Sequence, residues 1–250
     1  MASGCNVWCI VSTVLLLFLN LKPLVCGEPQ VPCYFIFGDS LVDNGNNNDL
    51  LTQARANFLP MELIFPMVQP GDSPTAGIWP TFWVCFLSTP FLPPNFIYGK
   101  VIPELLGFDD YIPPFATARG QDILKGVNYG SGSAGIRDET GQQLGARISL
   151  NAQLSNHKIT IRHIATLLGS KALAKEYLSS CLYTVGMGNN DYLNNYFMPQ
   201  FYPTSSLYTP EQYAKVLVKQ YSQQLKTLYK YGARKIAVFG LVNWVAFQKP

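Results

Sequence analysis

Three short apolar runs, each followed by a glycine, constrain the fold of this chain most. They lie at Val31–Phe37, Leu182–Val185 and Lys235–Phe239. Runs of this length that are rich in β-branched and aromatic residues are typical of buried strands. Helical patterns lie between these runs, and this alternation predicts an α/β fold with a parallel sheet covered by helices. In such a fold, ligands bind at the carboxyl ends of the strands.

A strong helical pattern connects the second and third predicted strands. Its inward positions recur at helical spacing and are Tyr213, Val216, Leu217, Leu225, Leu228 and Tyr229. Thr209 is placed to cap this helix, and Pro210 and Glu211 suit its first turn. The pair Tyr231–Gly232 is expected to end it. A weaker pattern predicts another helix over Ile164–Leu178.

Composition excludes several classes of protein. The chain has 250 residues, of which 48% are hydrophobic and 13% charged, so a disordered protein is excluded. Its 18 Lys and Arg residues exceed its 15 Asp and Glu residues by a net charge of only +3, and they are scattered. We therefore expect no nucleic-acid partner. With two histidines and neither a CxxC nor an HExxH motif, we also expect no metal site.

The first 27 residues are predicted to be a secretory signal peptide. Ile10–Leu19 is an apolar stretch shorter than the roughly 20 residues needed to cross a bilayer. Lys22 and the small residues Cys26 and Gly27 follow it, which suits cleavage near that point. The region before it carries no charged side chain, so an uncleaved anchor is the alternative. We expect a secreted, extracellular protein that is not inserted in a membrane after cleavage.

Residues 28–250 are then predicted to form one partial domain. Cleavage would leave Cys33, Cys85 and Cys181 in the mature chain. Secretion permits disulfides, but three cysteines cannot all pair within one chain. The pairing stays open at this point.

Ser40 is the first candidate for chemistry. It follows Gly38 and Asp39 at the end of the first strand, where a tight turn can expose its hydroxyl. A serine hydroxyl is a weak nucleophile at neutral pH and needs an adjacent base. The tripeptide alone is weak evidence, because residues 71–73 repeat it, and a helix cap is the alternative role for Ser40.

Longer blocks around these positions resemble a known family. Phe35–Asn48 (FIFGDSLVDNGNNN), Gly126–Ile136 (GVNYGSGSAGI) and Gly186–Tyr192 (GMGNNDY) follow one another in the chain. They resemble, in the same order, the first three blocks of the plant GDSL esterase/lipases, whose second block is usually close to GVNYASGGAGI. The similarity covers residues about 31–60 and 101–241. The chain is thereby identified as a member of this family, within the SGNH hydrolase superfamily.

The resemblance implies a three-layer α/β/α, flavodoxin-like fold and the hydrolysis of carboxylic esters without metal or cofactor. Ser40 matches the nucleophile, and its N–H would help to hold the oxyanion. Gly132 matches the backbone donor of the second block, although the register within residues 130–132 is open by a residue or two. Asn190 matches the side-chain donor of the third block. Such donors are worth roughly 3–4 kcal/mol each in the transition state. Asp191 is expected to orient the loop.

One part of the family pattern is missing from this sequence. We find no DxxH block, which supplies the Asp and His of the triad in family members. The histidines present, His157 and His163, precede the third block and are expected to lie at the surface of a helix. We therefore expect an incomplete fold with part of its core exposed, and little activity, because losing the triad removes most of the rate.

Two stretches depart from the family and are interpreted as out-of-frame translation. A family-like YGIDFPDGPTGRFSNGR, written in suitable synonymous codons, gives Met61–Gly77 without mismatch when its first nucleotide is dropped. Val242–Lys249 similarly gives GQLGCIPK when read with one preceding nucleotide. Retained intron sequence up to about Lys100 is a weaker extension of the same idea. We therefore treat 61–100 and 242–250 as aberrant; the alternative for 61–100 is a genuine hydrophobic lid that faces lipid.

These observations predict a secreted GDSL-type serine esterase/lipase that acts on acyl lipids or related esters and is catalytically impaired as written. The expected partner is a small-molecule ester or lipid. Two alternatives remain open. One is a non-catalytic secreted protein that binds acyl groups or esters, or a decayed gene product. The other is an acyltransferase on the same scaffold, which the fold alone does not exclude.

Overall fold

The computed structural model describes residues 29–56 and 102–239, and within them it contains a four-stranded sheet. The strands are ordered β2-β1-β3-β4, and every neighbouring pair is parallel. The predicted parallel α/β architecture is therefore confirmed. The strands are β1 (Tyr34–Gly38), β2 (Gly126–Asn128), β3 (Leu182–Gly186) and β4 (Lys235–Phe239).

Helices connect these strands. They are α1 (Ile102–Leu105), α2 (Asp122–Lys125), α3 (Leu150–Leu167), α4 (Lys171–Ser180), α5 (Asn189–Asp191), α6 (Thr204–Leu207) and α7 (Pro210–Tyr231). A π-helical turn, Tyr192–Tyr196, follows α5, and a 3-10 turn, Gln142–Leu144, precedes α3. The three long helices, α3, α4 and α7, provide most of the helical packing surface.

Several predicted features lie outside the described residues. They are the signal peptide over 1–27, the aberrant segment over 61–100 and the aberrant tail over 242–250. Among the helices of 29–56 and 102–239, none has the length and apolarity that a membrane span needs.

The ends of α7 follow the sequence prediction. The Thr209 hydroxyl accepts from the Gln212 N–H, and the Gln212 side chain accepts from the Thr209 N–H, which completes a capping box. Gly232 ends the helix in the left-handed region at φ 117°, a conformation that glycine adopts without steric cost. Local chemistry therefore fixes both ends of this helix.

The prediction of a single helix over Ile164–Leu178 is wrong. The chain forms two helices there, because Gly169 adopts a left-handed φ of 77° and Ser170 caps a new helix by accepting from the Leu173 N–H. The first of the two, α3, begins earlier than predicted, where Ser149 caps its first turn. Polar residues on its outer face dilute the apolar pattern that would have marked this earlier start.

The side chains of β1 alternate between two apolar clusters. Phe35 and Phe37 pack in the larger cluster with inward residues of α3, α4 and α7. Tyr34 and Ile36 point to the opposite face, in a smaller cluster that includes Phe108 and Ile112 from the segment after α1. Every residue of β1 is therefore buried, which explains its continuous apolar sequence.

His157 is a correction to the sequence analysis, which placed it at the surface. It is fully buried, with its Nδ1 3.0 Å from the Tyr129 hydroxyl and its ring edge-on to Phe35 at 4.8 Å. It lies three residues after Leu154 and seven before Ile164, on the inward stripe of α3. Burial lowers the pKa of His157 to about 3, so the imidazole is neutral. His163 is exposed, as expected.

A disulfide joins Cys33 to Cys181 across 148 residues. Cys33 directly precedes β1, and Cys181 directly precedes β3, so the bond links the starts of two paired strands. This resolves the pairing that the sequence left open. Cys85 lies outside the described residues.

Removing this disulfide is expected to destabilise the protein. The double substitution Cys33→Ala/Cys181→Ala should lower the free energy of unfolding by about 2–5 kcal/mol, because a long loop is no longer closed in the unfolded chain. Guanidinium denaturation of the oxidised protein measures this change. Dithiothreitol should move the wild-type midpoint toward that of the double variant and leave the variant unmoved. A wild-type midpoint that does not change when dithiothreitol is added would contradict the prediction.

Candidate active site

Three loops meet at the carboxyl ends of β1, β2 and β3. Gly38 of β1 pairs with Gly186 of β3, so Ser40 and Asn190 follow neighbouring strands. The Ser131 N–H donates to the Gly38 carbonyl at 3.1 Å, which brings the loop after β2 alongside. The Asn190 amide in turn reaches that loop. The sequence analysis expected these residues at one edge of the sheet, and hydrogen bonds connect their loops there.

Ser40 lies at the exposed tip of a tight turn. The N–H groups of Val42 and Asp43 both donate to the Asp39 carbonyl at 3.2 Å, and the Leu41 N–H donates to Asp39 Oδ1 at 3.0 Å. Asp39, Val42 and Asp43 are buried, while Ser40 is exposed. Within the described part of the chain, neither the N–H nor the hydroxyl of Ser40 has a hydrogen-bond partner. Both are therefore available to a substrate.

The Asn190 side chain is buried and held in one orientation. Its Oδ1 accepts from Asn194 Nδ2 at 2.6 Å, and its Nδ2 donates to the Ala134 carbonyl at 2.9 Å. A primary amide carries two N–H donors, and the second has no acceptor among the residues that the structure describes. This arrangement fixes an amide with a free donor against the loop that follows β2.

Gly132, the residue matched to the family's backbone donor, already uses its N–H within the protein. That N–H donates to Asp43 Oδ2 at 2.9 Å, and the Gly132 carbonyl accepts from Asn47 Nδ2 at 3.1 Å. The two preceding N–H groups are also engaged, Gly130 with Asn128 Oδ1 at 2.8 Å and Ser131 with the Gly38 carbonyl. The contribution of Gly132 to an oxyanion site stays a prediction.

Asp191 is buried and anchors the loop that follows β2. Its carboxylate accepts from the N–H groups of Ile136 and Arg137 at 2.8 and 3.0 Å and from the Thr140 hydroxyl at 2.8 Å. These contacts are the kind expected of a residue that orients the loop. Burial raises the pKa of Asp191 to about 6, because few water molecules remain to solvate its charge.

Two further buried carboxyls lie in the turn around Ser40. Burial raises the pKa of Asp39 to about 7, and the nearby charge of Asp191 adds to this increase. Burial also raises the pKa of Asp43, although backbone N–H groups that donate to its carboxylate oppose the shift. The carboxyls that hold the serine turn therefore lose solvation when they ionise, and this loss favours their protonated forms.

Amide side chains to which the sequence analysis gave no role form hydrogen bonds with the backbone around the site. Gln153 of α3 accepts from the Gly38 N–H at 3.1 Å and donates to the Gly38 carbonyl at 2.8 Å. Asn46 Nδ2 donates to the carbonyls of Asn128 and Gly130 at 3.0 and 2.8 Å. The asparagine run after Ser40 is a signal that could have found Asn46, whereas nothing in the sequence near Gln153 marks its role.

A cavity of about 470 Å³ lies outside the candidate site. It lies against β2 and α3, where Phe115, Val127, His163 and Leu167 are among the residues that line it. Neither Ser40 nor Asn190 borders it. We therefore assign this hollow no part in the chemistry at Ser40.

Removing the Asp43 carboxylate should loosen the serine turn. Asp43 accepts from the N–H groups of Gly45, Asn46 and Gly132, each at 2.9 Å, and Asp43→Ala leaves them without this acceptor. We expect a loss of at least about 2 kcal/mol in the free energy of unfolding, measured by urea denaturation. Asp49→Ala, at an exposed position of the same loop, is the matched control and should stay within about 0.5 kcal/mol of wild type. Equal effects of the two substitutions would refute the role of Asp43.

The buried Asp39 predicts a definite pH dependence. Its pKa rises from 3.8 to about 7 on folding, so between these values the folded state binds more protons than the unfolded state. Its stabilising contribution is full below pH 3.8 and falls as the pH rises through about 7. Asp39→Asn keeps the shape and cannot ionise.

The difference in unfolding free energy between Asp39→Asn and wild type should therefore move in favour of the variant between pH 4.5 and 7.5, by about 3 kcal/mol. Chemical denaturation at the two pH values measures it. Titrating groups that do not interact with Asp39, such as His157, contribute equally to both proteins and cancel in this difference, whereas the interaction with Asp191 is part of the measured effect. Parallel stability profiles would show that Asp39 ionises normally.

An exposed serine on a tight turn, with a free backbone N–H and an oriented amide donor on the next loop, suits nucleophilic attack on a carbonyl and stabilisation of the oxyanion that forms. Comparison with known proteins agrees with this class. The model of the GDSL-like Lipase/Acylhydrolase family matches residues 34–248, and the chain belongs to this family.

Similar proteins include three from Arabidopsis thaliana. GDSL esterase/lipase At1g29660 is 51% identical over 246 residues, which cover 96% of this chain and 60% of the relative. GDSL esterase/lipase At4g18970 is 49% identical over 222 residues, covering 87% of this chain and 55% of the relative. GDSL esterase/lipase At5g45670 is 50% identical over 214 residues, covering 86% of this chain and 54% of the relative. The chain thus spans somewhat more than half the length of these relatives.

Proposed function

We propose that this site hydrolyses carboxylic esters, with Ser40 as the nucleophile. The observation that carries the proposal is the exposed Ser40 on a turn of buried residues after β1, with the fixed amide of Asn190 on the loop after the neighbouring strand β3. The Ser40 oxygen attacks the ester carbonyl and its proton passes to solvent water, which later supplies a proton to the departing alcohol. The carbonyl oxygen, now negatively charged, accepts from the Ser40 N–H and from Asn190 Nδ2. Collapse of this intermediate expels the alcohol, and water then releases the acid from Ser40.

The chain as given is proposed to carry out this reaction slowly. Neither of its histidines suits the role of base. His157 is buried among the rings of the core. His163 lies about 15 Å further along α3 than Gln153, the residue that contacts Gly38 at the site. Without a base, only substrate binding and oxyanion stabilisation remain to accelerate the reaction.

The same observation favours a second candidate function. A site that keeps its oxyanion donors but has no histidine base could bind an ester or acyl group without turning it over. We therefore keep a non-catalytic acyl- or ester-binding protein as the alternative. The two functions differ in whether product is released in a way that depends on Ser40.

Substrate class and location are also part of the proposal. Relatives named esterase/lipase support esters of acyl lipids or related compounds as substrates. Secretion is supported by the apolar N-terminal stretch and by the Cys33–Cys181 disulfide, since disulfides persist mainly in oxidising compartments.

Hydrolysis of p-nitrophenyl butyrate by the full chain tests the proposal. We expect slow release of p-nitrophenol that Ser40→Ala abolishes. Ser73→Ala is a matched control, because Ser73 ends the second Gly-Asp-Ser of the same chain. It should leave the rate unchanged. Release that survives in Ser40→Ala would overturn the nucleophile, and saturable binding of the ester without release would support the alternative.

Replacing Asn190 should affect turnover more than substrate binding. Asn190→Ala is expected to lower kcat by about 100- to 1,000-fold with little change in KM, because its donor acts mainly on the charge that develops in the transition state. Steady-state kinetics with the same ester measure both constants. Asn156→Ala, on the partly exposed side of α3, serves as control. A rise in KM alone would assign Asn190 to substrate binding instead.

A further inference from the structure

The cavity of about 470 Å³ beside β2 and α3 has an apolar inner wall. Its buried lining residues are Ala118, Ile123, Val127 and Thr160. Of these four, only Thr160 has a polar side chain. Its hydroxyl already accepts from the Tyr129 hydroxyl at 2.8 Å and donates to the Asn156 carbonyl at 3.4 Å. The inner wall therefore offers a ligand no free polar side chain and suits a hydrocarbon chain, because moving apolar groups out of water is favourable.

Two nitrogen-bearing side chains lie on the exposed side of the same cavity. Arg119 comes from the loop before α2, His163 comes from α3, and both are exposed lining residues. His163 lies three residues after Thr160 and four before Leu167, which also line the cavity, so the three share one face of α3. The loop and the helix thus bring a cation and an imidazole to the mouth of an apolar cavity.

The guanidinium of Arg119 is held in place without being neutralised. Its Nη1 donates to the carbonyls of Phe115 and Ala118 at 3.4 and 2.6 Å, and its Nη2 donates to the Ala116 carbonyl at 2.9 Å. Three of its five N–H groups are used in this way, and the other two have no acceptor within the described ranges. Among the described residues, no carboxylate lines the cavity or pairs with Arg119. The charge at the mouth therefore complements an anion.

We propose that this cavity binds a fatty acid, at a site separate from that of Ser40. The acyl chain lies against the inner wall. The carboxylate lies at the mouth, where the two free N–H groups of Arg119 donate to its oxygens and His163 supplies a further donor. The volume falls within the roughly 300–1,000 Å³ of small-molecule sites, which are typically apolar with a few placed polar groups. The inference does not depend on ester hydrolysis, because neither Ser40 nor Asn190 borders the cavity.

Isothermal titration calorimetry of the full chain with dodecanoate, kept below its micelle-forming concentration, tests this inference. We expect saturable binding that the double variant Ser40→Ala/Asn190→Ala retains. Each CH₂ group removed from the ligand should weaken binding about fourfold, which corresponds to ~0.8 kcal/mol. Thr166→Trp, at an exposed residue that lines the cavity, should exclude at least two CH₂ groups and so weaken binding at least about tenfold.

Replacing Arg119 separates the role of the carboxylate from that of the chain. Arg119→Gln should weaken dodecanoate binding by about 10- to 100-fold, because a charge-assisted hydrogen bond is lost. Binding of dodecan-1-ol, which is uncharged, should not change, and this shows that the loop is intact. Arg162→Gln is the matched control, because Arg162 is exposed on α3 and does not line the cavity. It removes the same charge and should change neither affinity by more than about twofold, since solvent screens exposed charges.

Three results would overturn the inference. The first is that the wild type shows no saturable binding of dodecanoate. The second is that Ser40→Ala/Asn190→Ala abolishes binding while Thr166→Trp leaves it intact, which would place the ligand at the serine site. The third is that Arg119→Gln affects dodecanoate no more than it affects dodecan-1-ol. Ester hydrolysis is measured separately with p-nitrophenyl butyrate, so the failure of either proposal leaves the other standing.

Discussion

Hydrogen bonds from buried side chains to loop backbones hold the site at the carboxyl edge of the sheet together. The loops after β1 and β2 are largely buried, and buried N–H and carbonyl groups require partners. Asp43, Asn46 and Gln153 supply many of these partners. Each reaches from one segment to the backbone of another, so that the turn of Ser40 is fixed by residues distant in sequence. The strands set the approximate positions of the loops, and these polar contacts fix their orientation.

Residues that act locally were predictable from the sequence, whereas those that act across the fold were not. The ends of α7 follow from Thr209, Pro210 and Gly232, whose effects are confined to the adjacent turn. β1 and β3 were recognised because buried strands are continuously apolar. The exposed position of Ser40 and the burial of Asn190 agree with the roles that the resemblance implied, although their catalysis stays a prediction.

The misses have physical causes. The identity of a histidine does not reveal whether it is buried. His157 differs from His163 only in lying on the inward-facing side of α3. The split between α3 and α4 depends on the left-handed conformation of Gly169. Because a single glycine is tolerated within a helical pattern, its presence alone did not predict a break. The partner of Gly132 depends on Asp43, 89 residues away in the chain. Pairings at such separations are determined by packing of the whole domain, and local periodicity carries no information about them.

The Cys33–Cys181 disulfide has a mechanical consequence for the chemistry. It cross-links β1 and β3 where they begin, while Ser40 and Asn190 lie beyond the opposite ends of the same strands. Five residues of strand separate the two ends, a distance of about 17 Å. Because the disulfide lies at the opposite ends of the two strands, it restrains the spacing between Ser40 and Asn190 less than the spacing of the residues next to it. That spacing is therefore set by the pairing of the strands up to Gly38 and Gly186 and by the hydrogen bonds from Gln153 to Gly38.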